Sequence, residues 1–517
     1  MKKFARLLAL VLALLMVAAC FAACGGDKTP DTTEPSVGGT KPTEQETGRG
    51  AIEDGVPESL NFASDKENTV TFLVRNNDQL FEYEVSSEEL LNNALYDAIH
   101  YRNMDIENRL GVKIKSVGQD GSYSATGAWN ETLATSVLAN QYEYDGAFIY
   151  AAMSSPLVTQ GIYLNLMDLT TQNGGYINLD KPWWNQTALD ELSYAGSLYF
   201  LGGDIAISQV SKGLCLFFNK DLFAVKFPEE QVAGLYQLVR DGKWTIGKMT
   251  EYVDAVWDDV NNNGAIDMGD TCGYLGSGDR GDGTMDAWIY AMGLRITEKD
   301  AYGEPQYSAM YDPELTPKWE AVKRLSVDSR GVVHHNYVSS GTTMPEATSI
   351  GAGNLLFFMN YLDYGEDLRS TSANFGVLPL PMYNEEQGDY ATCFWDGSSL
   401  LVATSNLKPE RYGMVSATLE LMAAESYKEV TPTYFTKVLQ GLYSKDEPDA
   451  EMFDIITGSY TMDFGLVYSS KSLGLPGVLF RRMYDEKWDL ANDIGKNGGT
   501  WETKLGELLD ALLELDK

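Results

Sequence analysis

Thr69-Val-Thr-Phe-Leu-Val-Arg75 is a β-branched and aromatic run. It is followed by a Ser86-x-x-Glu89 capping box, by Leu91, Leu95, Ala98 and Ile99 at helical spacing as far as Gly111, and by the alternating segment Val112 to Val117. A run of the first kind fits a buried strand, the second pattern an amphipathic helix, and alternation a half-buried strand. Strand, helix and strand at this length predict a right-handed βαβ crossover in a parallel sheet. Asp145 to Tyr150 (DGAFIY) reads as a further buried strand. Ligands of open α/β sheets bind beyond the carboxyl ends of the strands, which brings Arg75, Asn76 and Tyr150 forward as cleft candidates.

Upstream of this unit the chain has a different character. Lys2, Lys3 and Arg6 precede an apolar run from Leu7 to Ala19, then come two small-residue cysteine sites, Val17-Ala-Ala-Cys20 and Phe21-Ala-Ala-Cys24. That order reads as a secretory signal whose cleavage leaves a lipidated cysteine. Cys24 is preferred because Gly25-Gly26 and a polar stretch follow at once; Cys20 is the alternative. A spanning helix is the competing reading, since Leu7 to Gly26 approaches the ~20 apolar residues that cross a bilayer. From residue 24 to about 66 the composition is Thr, Pro, Glu, Gly and Ser, which cannot bury enough surface to offset ordering and predicts a disordered tether. The expected location is the extracellular face of the cell membrane, lipid-anchored.

The full chain of 517 residues carries a net charge of -35. A surface this acidic repels phosphates, so nucleic acid is excluded as a partner and anionic lipid headgroups are poor ones. A neutral or cationic ligand suits it better than an anionic one. Beyond Cys20 and Cys24 there are only Cys215, Cys272 and Cys393, widely spaced, which indicates no disulfide framework.

Further along stand KPWWN (181 to 185), LSYAGSLYFLGGDIAIS (192 to 208), GLCLFFNKDLF (213 to 223), GNLLFFMNYLDYGEDLR (353 to 369) and FGVLPLPMYNEEQGDYAT (375 to 392). This succession resembles the extracellular solute-binding proteins of ABC importers, in the group related to maltose-binding protein that handles sugars and oligosaccharides. The resemblance implies an α/β, two-lobed periplasmic-binding-protein-like fold of type II, each lobe a mostly parallel sheet flanked by helices, with the ligand cleft at the hinge. It implies a first lobe of residues 67-204 plus about 400-457 and a second of 205-399 plus about 458-517. Crossings are expected near Gly203 to Ser208, Ser398 to Ala403 and Gly458 to Leu466. Carried onto matching positions, ligand contacts fall at Arg75, Asn76, Tyr150, Asp204, Ser208, Trp288, Asn360, Tyr361, Trp395 and Asp396. A sugar needs flat aromatics for its C-H faces and amides or carboxylates for its hydroxyls, and a chain with 10 Trp and 30 Tyr has stacking partners in quantity.

A second motif lies between Asp259 and Asp270. Asp259, Asn261, Asn263, Asp267 and Asp270 occupy positions 1, 3, 5, 9 and 12 of a twelve-residue loop, with Gly264 at 6 and the carbonyl of Ala265 at 7. These are the offsets of an EF-hand-like loop, so Ca2+ in a structural role is expected; Asp270 replaces the usual long Glu at the last position. Catalytic patterns are absent from the sequence: it holds three histidines, and no HExxH, GxSxG or phosphate-cradling GxxxxGK[ST]. The chain is therefore expected to be no enzyme but a lipid-anchored binding protein that hands a sugar or oligosaccharide to ABC transporter permease subunits. The alternative is a cell-surface carbohydrate-active enzyme, a glycoside hydrolase working with two carboxylates.

Overall fold

The structure, a computed structural model, describes residues 48–517 apart from 261, 265–268, 277–282, 335–344, 369–370, 372, 440–446, 475 and 516–517. Cys20 and Cys24, the signal and the tether lie outside the described residues. The two main sheets are built from β1 (Thr69–Arg75), β2 (Lys113–Gln119), β3 (Gly146–Tyr150), β4 (Leu214–Asn219), β5 (Cys272–Gly276), β6 (Val332–His334), β7 (Leu355–Tyr361), β8 (Phe375–Leu378) and β9 (Ser399–Ala403). The first sheet runs β9-β3-β1-β2 and the second β8-β4-β7-β5-β6. The chain is thus a two-lobed α/β protein.

The βαβ unit forms as its pattern predicts. β1 pairs in parallel with β2 from Thr69 opposite Lys113 to Arg75 opposite Gln119, and β3 pairs in parallel on the other side of β1. The helix between β1 and β2 is Ala94–Leu110, and it buries Leu95, Ile99, Ile106 and Leu110. Its N-cap is Asn93, whose side chain accepts from Leu95 N at 2.9 Å, and not the capping box; Ser87 Oγ instead donates to Glu89 O within the preceding loop. Both motifs offer a side-chain oxygen to free N–H groups, and the chain uses the one at the point where the backbone turns helical. Gly111 ends the helix at φ 67°, where an added Cβ would sit 2.8 Å from Ala63.

β9 closes the first sheet antiparallel to β3, Ser399 opposite Tyr150 and Ala403 opposite Gly146. Among the described residues it is the only strand of that sheet drawn from the second half of the chain. The second sheet is mixed: β4 is antiparallel to both neighbours, whereas β5 is parallel to β6 and β7. Its core is aromatic, with Phe217 stacked on Phe358 at 5.2 Å and the buried Trp244 donating to Pro379 O at 3.0 Å. Cys215, Cys272 and Cys393 are buried and form no disulfide among the described residues. Among the described residues no helix is long and apolar enough to cross a membrane.

Between the two sheets the chain passes in opposite directions through segments that lie side by side, Leu201 against Leu401 and Gly213 against Phe394. The return path differs from the boundaries implied above. Helix Glu447–Gly458 packs on β8, and the buried Asp449 meets Lys220 at 2.5 Å and Tyr236, so this segment belongs with the second sheet and not with the first. The 26-residue C-terminal helix Leu490–Leu515 in turn packs against Ser155–Gln160 of the first lobe while Trp501 donates to Gly474 O. Helix Phe464–Ser469 touches both, since Ser155 Oγ donates to Val467 O and Asp463 accepts from Tyr290 and Ile296 N.

A buried polar knot ties the crossing point. Ser399 Oγ accepts from Arg75 Nη2 at 2.9 Å and donates to Glu84 Oε1; Ser208 N donates to Glu84 Oε2 at 3.4 Å; Ser399 N donates to Ser208 Oγ at 3.0 Å; and Gln209 Nε2 donates to Ser399 O at 2.7 Å. Arg75 is 1 % exposed, and burial lowers its guanidinium to about 10 against the opposing pull of Glu84. Burial pushes the Glu84 carboxyl up, and Arg75 holds it back. Removing one charge leaves the other buried without compensation, which costs about 3 kcal/mol or more. Arg75→Met and Glu84→Gln are each expected to lower the urea midpoint by that order, and the double variant to lose less than the two losses combined. Additive losses in urea titrations would show the pair to be uncoupled.

A second buried acid makes stability depend on pH. Glu420 lies fully buried on helix Tyr412–Glu425, where it accepts from Asn178 N and Trp184 Nε1, each at 3.1 Å. Burial pushes its carboxyl up from 4.5 to about 8. The folded chain therefore keeps a proton that the unfolded chain releases, and this contribution is full below about 4.5 and lost as pH rises to 8. Glu420→Gln is expected to flatten the fall of the urea midpoint across that interval relative to the unaltered chain; parallel curves would place the ionised carboxylate comfortably in the fold.

Candidate ligand cleft

The carboxyl ends of β1 and β3 and the end of β7 face one another across the crossing point. Each delivers an aromatic ring to Trp395, which stands in the segment entering β9: Phe81 at 5.9 Å, Tyr150 at 5.6 Å and Tyr361 at 5.8 Å between ring centroids. Phe81 follows β1 on helix Gln79–Tyr83, which starts because Asp78 accepts from Leu80 N at 2.8 Å. Trp395 is held by its own N–H to Lys212 O at 3.1 Å and by Gly397, whose added Cβ would lie 2.7 Å from the indole. The indole is half-buried among rings from both lobes. Asp396 points the other way, to Arg481 at 3.3 Å; Arg481 also pairs with Asp286, and these two carboxylates hold its guanidinium above the usual arginine range against burial.

Beside this cluster lies a cavity of about 670 Å³ between the lobes. Asn76, Asp78, Glu82 and Tyr96 line it from the first lobe, and Asn360, Tyr361 and Asp363 from the second, with Lys212 from the connecting segment. Lys212 Nζ pairs with Asp363 at 2.5 Å and lies 5.5 Å from the centre of the Tyr361 ring. Burial raises the Asp363 carboxyl; Lys212 opposes this, and Asp78 across the cavity adds to it.

Of the residues singled out from sequence, the structure brings Asn76, Tyr150, Asn360, Tyr361 and Trp395 to the cleft or its aromatic floor, whereas Asp396 turns away to Arg481. Four others are placed elsewhere. Arg75 lies beneath the floor, 3.7 Å from the centre of the Phe81 ring and 5.2 Å from that of Tyr150, with its charge spent on the buried knot. Ser208 is fully buried in the same knot and offers no surface to a ligand. Asp204 faces Thr431 and Arg49, and burial raises its carboxyl to about 6; it belongs to the packing of the first lobe. Trp288 is fully buried in helix Ala287–Ala291, every residue of which is core, so its aromatic face is covered by protein.

Sequence reasoning missed Phe81, Tyr96, Lys212 and Asp363. Phe81 and Asp363 carry a readable signal, because each lies just past a strand that ends at the cleft, Arg75 and Tyr361 respectively. Tyr96 carries none: it sits on the apolar stripe of its helix and reaches the cavity only through tertiary placement.

In the loop from Asp259 to Asp270, Asn261, Ala265 and Asp267 lie outside the described residues. Asp259 accepts from Asn263 N at 3.1 Å and Gly264 N at 2.9 Å, Gly264 stands at φ 73°, and the buried Asp270 accepts from Val260 N at 3.1 Å. No group of three metal-ligating side chains is assembled among the described residues.

No family model matches the sequence, and no curated protein is similar to it in sequence. Solved structures are similar in fold. A cyclo/maltodextrin-binding protein complexed with maltotetraose superposes with a TM-score of 0.55 at 12% identity over 85% of this chain and 98% of that one. UgpB from Mycobacterium tuberculosis in complex with glycerophosphocholine gives 0.54 at 12% identity over 86% and 100%. The GacH receptor of Streptomyces glaucescens, described with acarbose, gives 0.51 at 14% identity over 86% and 99%. The chain therefore has the two-lobed α/β fold of these solute-binding proteins.

Proposed function

We propose that this chain is a binding protein that captures a sugar or oligosaccharide in the interlobe cleft and passes it to the permease subunits of an ABC transporter. The observation that carries the reading is the aromatic floor around Trp395, assembled from both lobes beside a cavity lined with amides and carboxylates. Rings of this kind stack on the C-H faces of sugars, and the polar rim pairs hydroxyls. A ligand touching both lobes favours their approach, which is how binding becomes a signal to a transporter. The structural neighbours named above include a binding protein complexed with maltotetraose and a receptor in complex with acarbose, in keeping with such a ligand. The hydrolase alternative is weighed by turnover, since Asp286 and Asp396 are engaged with the Arg481 guanidinium while burial raises the Asp363 carboxyl at the cavity, and glycoside hydrolysis needs one carboxylic acid kept protonated. The N-terminal apolar run and lipobox cysteines place the protein, in this reading, on the outer face of the membrane through an acyl anchor at Cys24 or Cys20.

A screen of mono- and oligosaccharides by thermal shift and calorimetry tests the reading. A ligand at 100 times its Kd stabilises the folded chain by ~2.7 kcal/mol. Trp395→Ala removes an aromatic contact worth ~1 kcal/mol and is expected to weaken glycan binding about fivefold with the fold intact. Product formation from any glycan would favour the hydrolase, and unfolding of Trp395→Ala would return that residue to the core.

The loop from Asp259 to Asp270 is proposed to hold a structural Ca2+, on the strength of its ligand offsets and of the turn that Asp259 closes around Gly264. Chelation is expected to lower the melting temperature of the unaltered chain, and Asp259→Ala to abolish the difference between chelator and added calcium. Identical melting curves with and without chelator would remove the metal from the account.

A further inference from the structure

We propose that Arg481 is a positioning residue for Trp395: it clamps the turn that carries the indole to the second lobe and so fixes the stacking surface of the cleft. The inference deepens the saccharide-binding reading above and rests on it for the role of the indole. Residues 395 to 398 form a tight turn, in which Ser398 N donates to Trp395 O at 2.9 Å. Backbone bonds tie this turn to the first lobe, through Ala152 N to Asp396 O at 3.0 Å, and to the connecting segment, through Trp395 N to Lys212 O. The Asp396 side chain leads the other way. Its Oδ2 accepts from Arg481 Nη2 at 3.3 Å, and the same guanidinium donates through Nε to Asp286 Oδ1 at 2.7 Å and through Nη2 to Asp286 Oδ2.

The far side of the clamp is anchored in the core. Phe480 and Met483 beside Arg481 are buried, and Asp286 leads into helix Ala287–Ala291, every residue of which is buried. The clamp also meets the edge of the indole: a Cβ placed on Gly283 would lie 3.5 Å from Arg481 Nη2, 3.6 Å from Asp396 Oδ1 and 3.8 Å from Trp395 Cδ1.

One guanidinium thus serves two carboxylates, and without it they repel. They are unequally free to move. The Asp286 side chain is 4 % exposed at the head of a buried helix, whereas that of Asp396 is 17 % exposed on a turn beside Gly397. Asp396 is therefore the partner that gives way, and Trp395 moves with it. The contacts of the indole with Phe81, Tyr150 and Tyr361 are dispersive and tolerate a tilt, while the clamp has charged donors and acceptors in fixed directions. The same charges reach the floor: burial raises the Tyr150 hydroxyl, Asp396 adds to this, and Arg75 and Arg481 oppose it.

Fluorine NMR on the full chain labelled with 5-fluorotryptophan, its Trp395 line assigned by loss in Trp395→Phe, tests the clamp without any ligand, and calorimetry with maltotetraose reads the consequence. Arg481→Gln is expected to shift or split the Trp395 line while those of distant tryptophans stay in place. It is expected to weaken maltotetraose binding about fivefold, as Trp395→Ala does, with no further loss when the two are combined. Adding Asp396→Asn to Arg481→Gln removes the repulsion and is expected to return the line toward its place, a rescue that mere support of the fold would not give. Arg481→Lys keeps the charge but cannot fork between two carboxylates, so a smaller displacement is expected, and it carries the test should Arg481→Gln fold poorly. An unmoved Trp395 line in both Arg481 variants, or no recovery in the double variant, would overturn this inference and leave the saccharide reading standing. A displaced and rescued line with no effect on maltotetraose would support the clamp and overturn the stacking of that sugar on Trp395.

Discussion

The buried charge pair of Arg75 and Glu84, bridged by the Ser399 hydroxyl, is the constraint from which the architecture of the cleft follows. Ionised groups out of water persist only when each finds a counter-charge and enough hydrogen bonds. Arg75 comes from the end of β1, Glu84 from just beyond helix Gln79–Tyr83, Ser399 from the start of β9 and Ser208 from the outgoing connection. Satisfying one buried pair therefore fixes three stretches remote in sequence, around residues 75 to 84, 208 and 399, where two connections between the sheets lie side by side. The Arg75 guanidinium also forms the underside of the aromatic floor, stacked beneath Phe81 and Tyr150. A ligand resting on that floor touches rings whose positions are set by the knot below.

Much of the first lobe was legible because its signals are local. β1, the helix at Ala94–Leu110 and β2 each follow from a periodicity that burial enforces within one segment, and a parallel neighbour for β1 follows from chain length and handedness. The capping box misled because Ser86 and Asn93 make the same chemical offer, and only the backbone decides which oxygen meets free N–H groups. β9 was beyond local reading as a partner of β3, since two hundred and more residues separate antiparallel strands that share no turn.

The cleft divides along the same line. Asn76, Asn360, Tyr361 and Trp395 sit at strand ends or just before a strand, so the general placement of ligands beyond carboxyl ends finds them. Trp288 and Asp204 have the right chemistry in the wrong layer. An indole within a helix that is buried on all sides is core, and a carboxylate turned to Thr431 and Arg49 belongs to packing, but neither fact is visible in a single sequence. Burial is a property of the neighbours, and for these two residues the neighbours come from elsewhere in the chain, Thr431 among them.

The floor and the mouth of the cleft pose different physical problems, which is why they differ in composition. Rings from both lobes already meet on Trp395, so apolar contact across the hinge exists before any ligand arrives and the floor by itself gives little discrimination between open and closed arrangements. A ligand moves that balance only by its differential affinity for the closed form. The mouth is polar instead, with Asn76, Asp78 and Glu82 on the first lobe and Asn360 and Asp363 on the second, so a ligand that bonds to both sides supplies such a difference. The floor thus offers rings for stacking, and the mouth offers polar groups from both lobes.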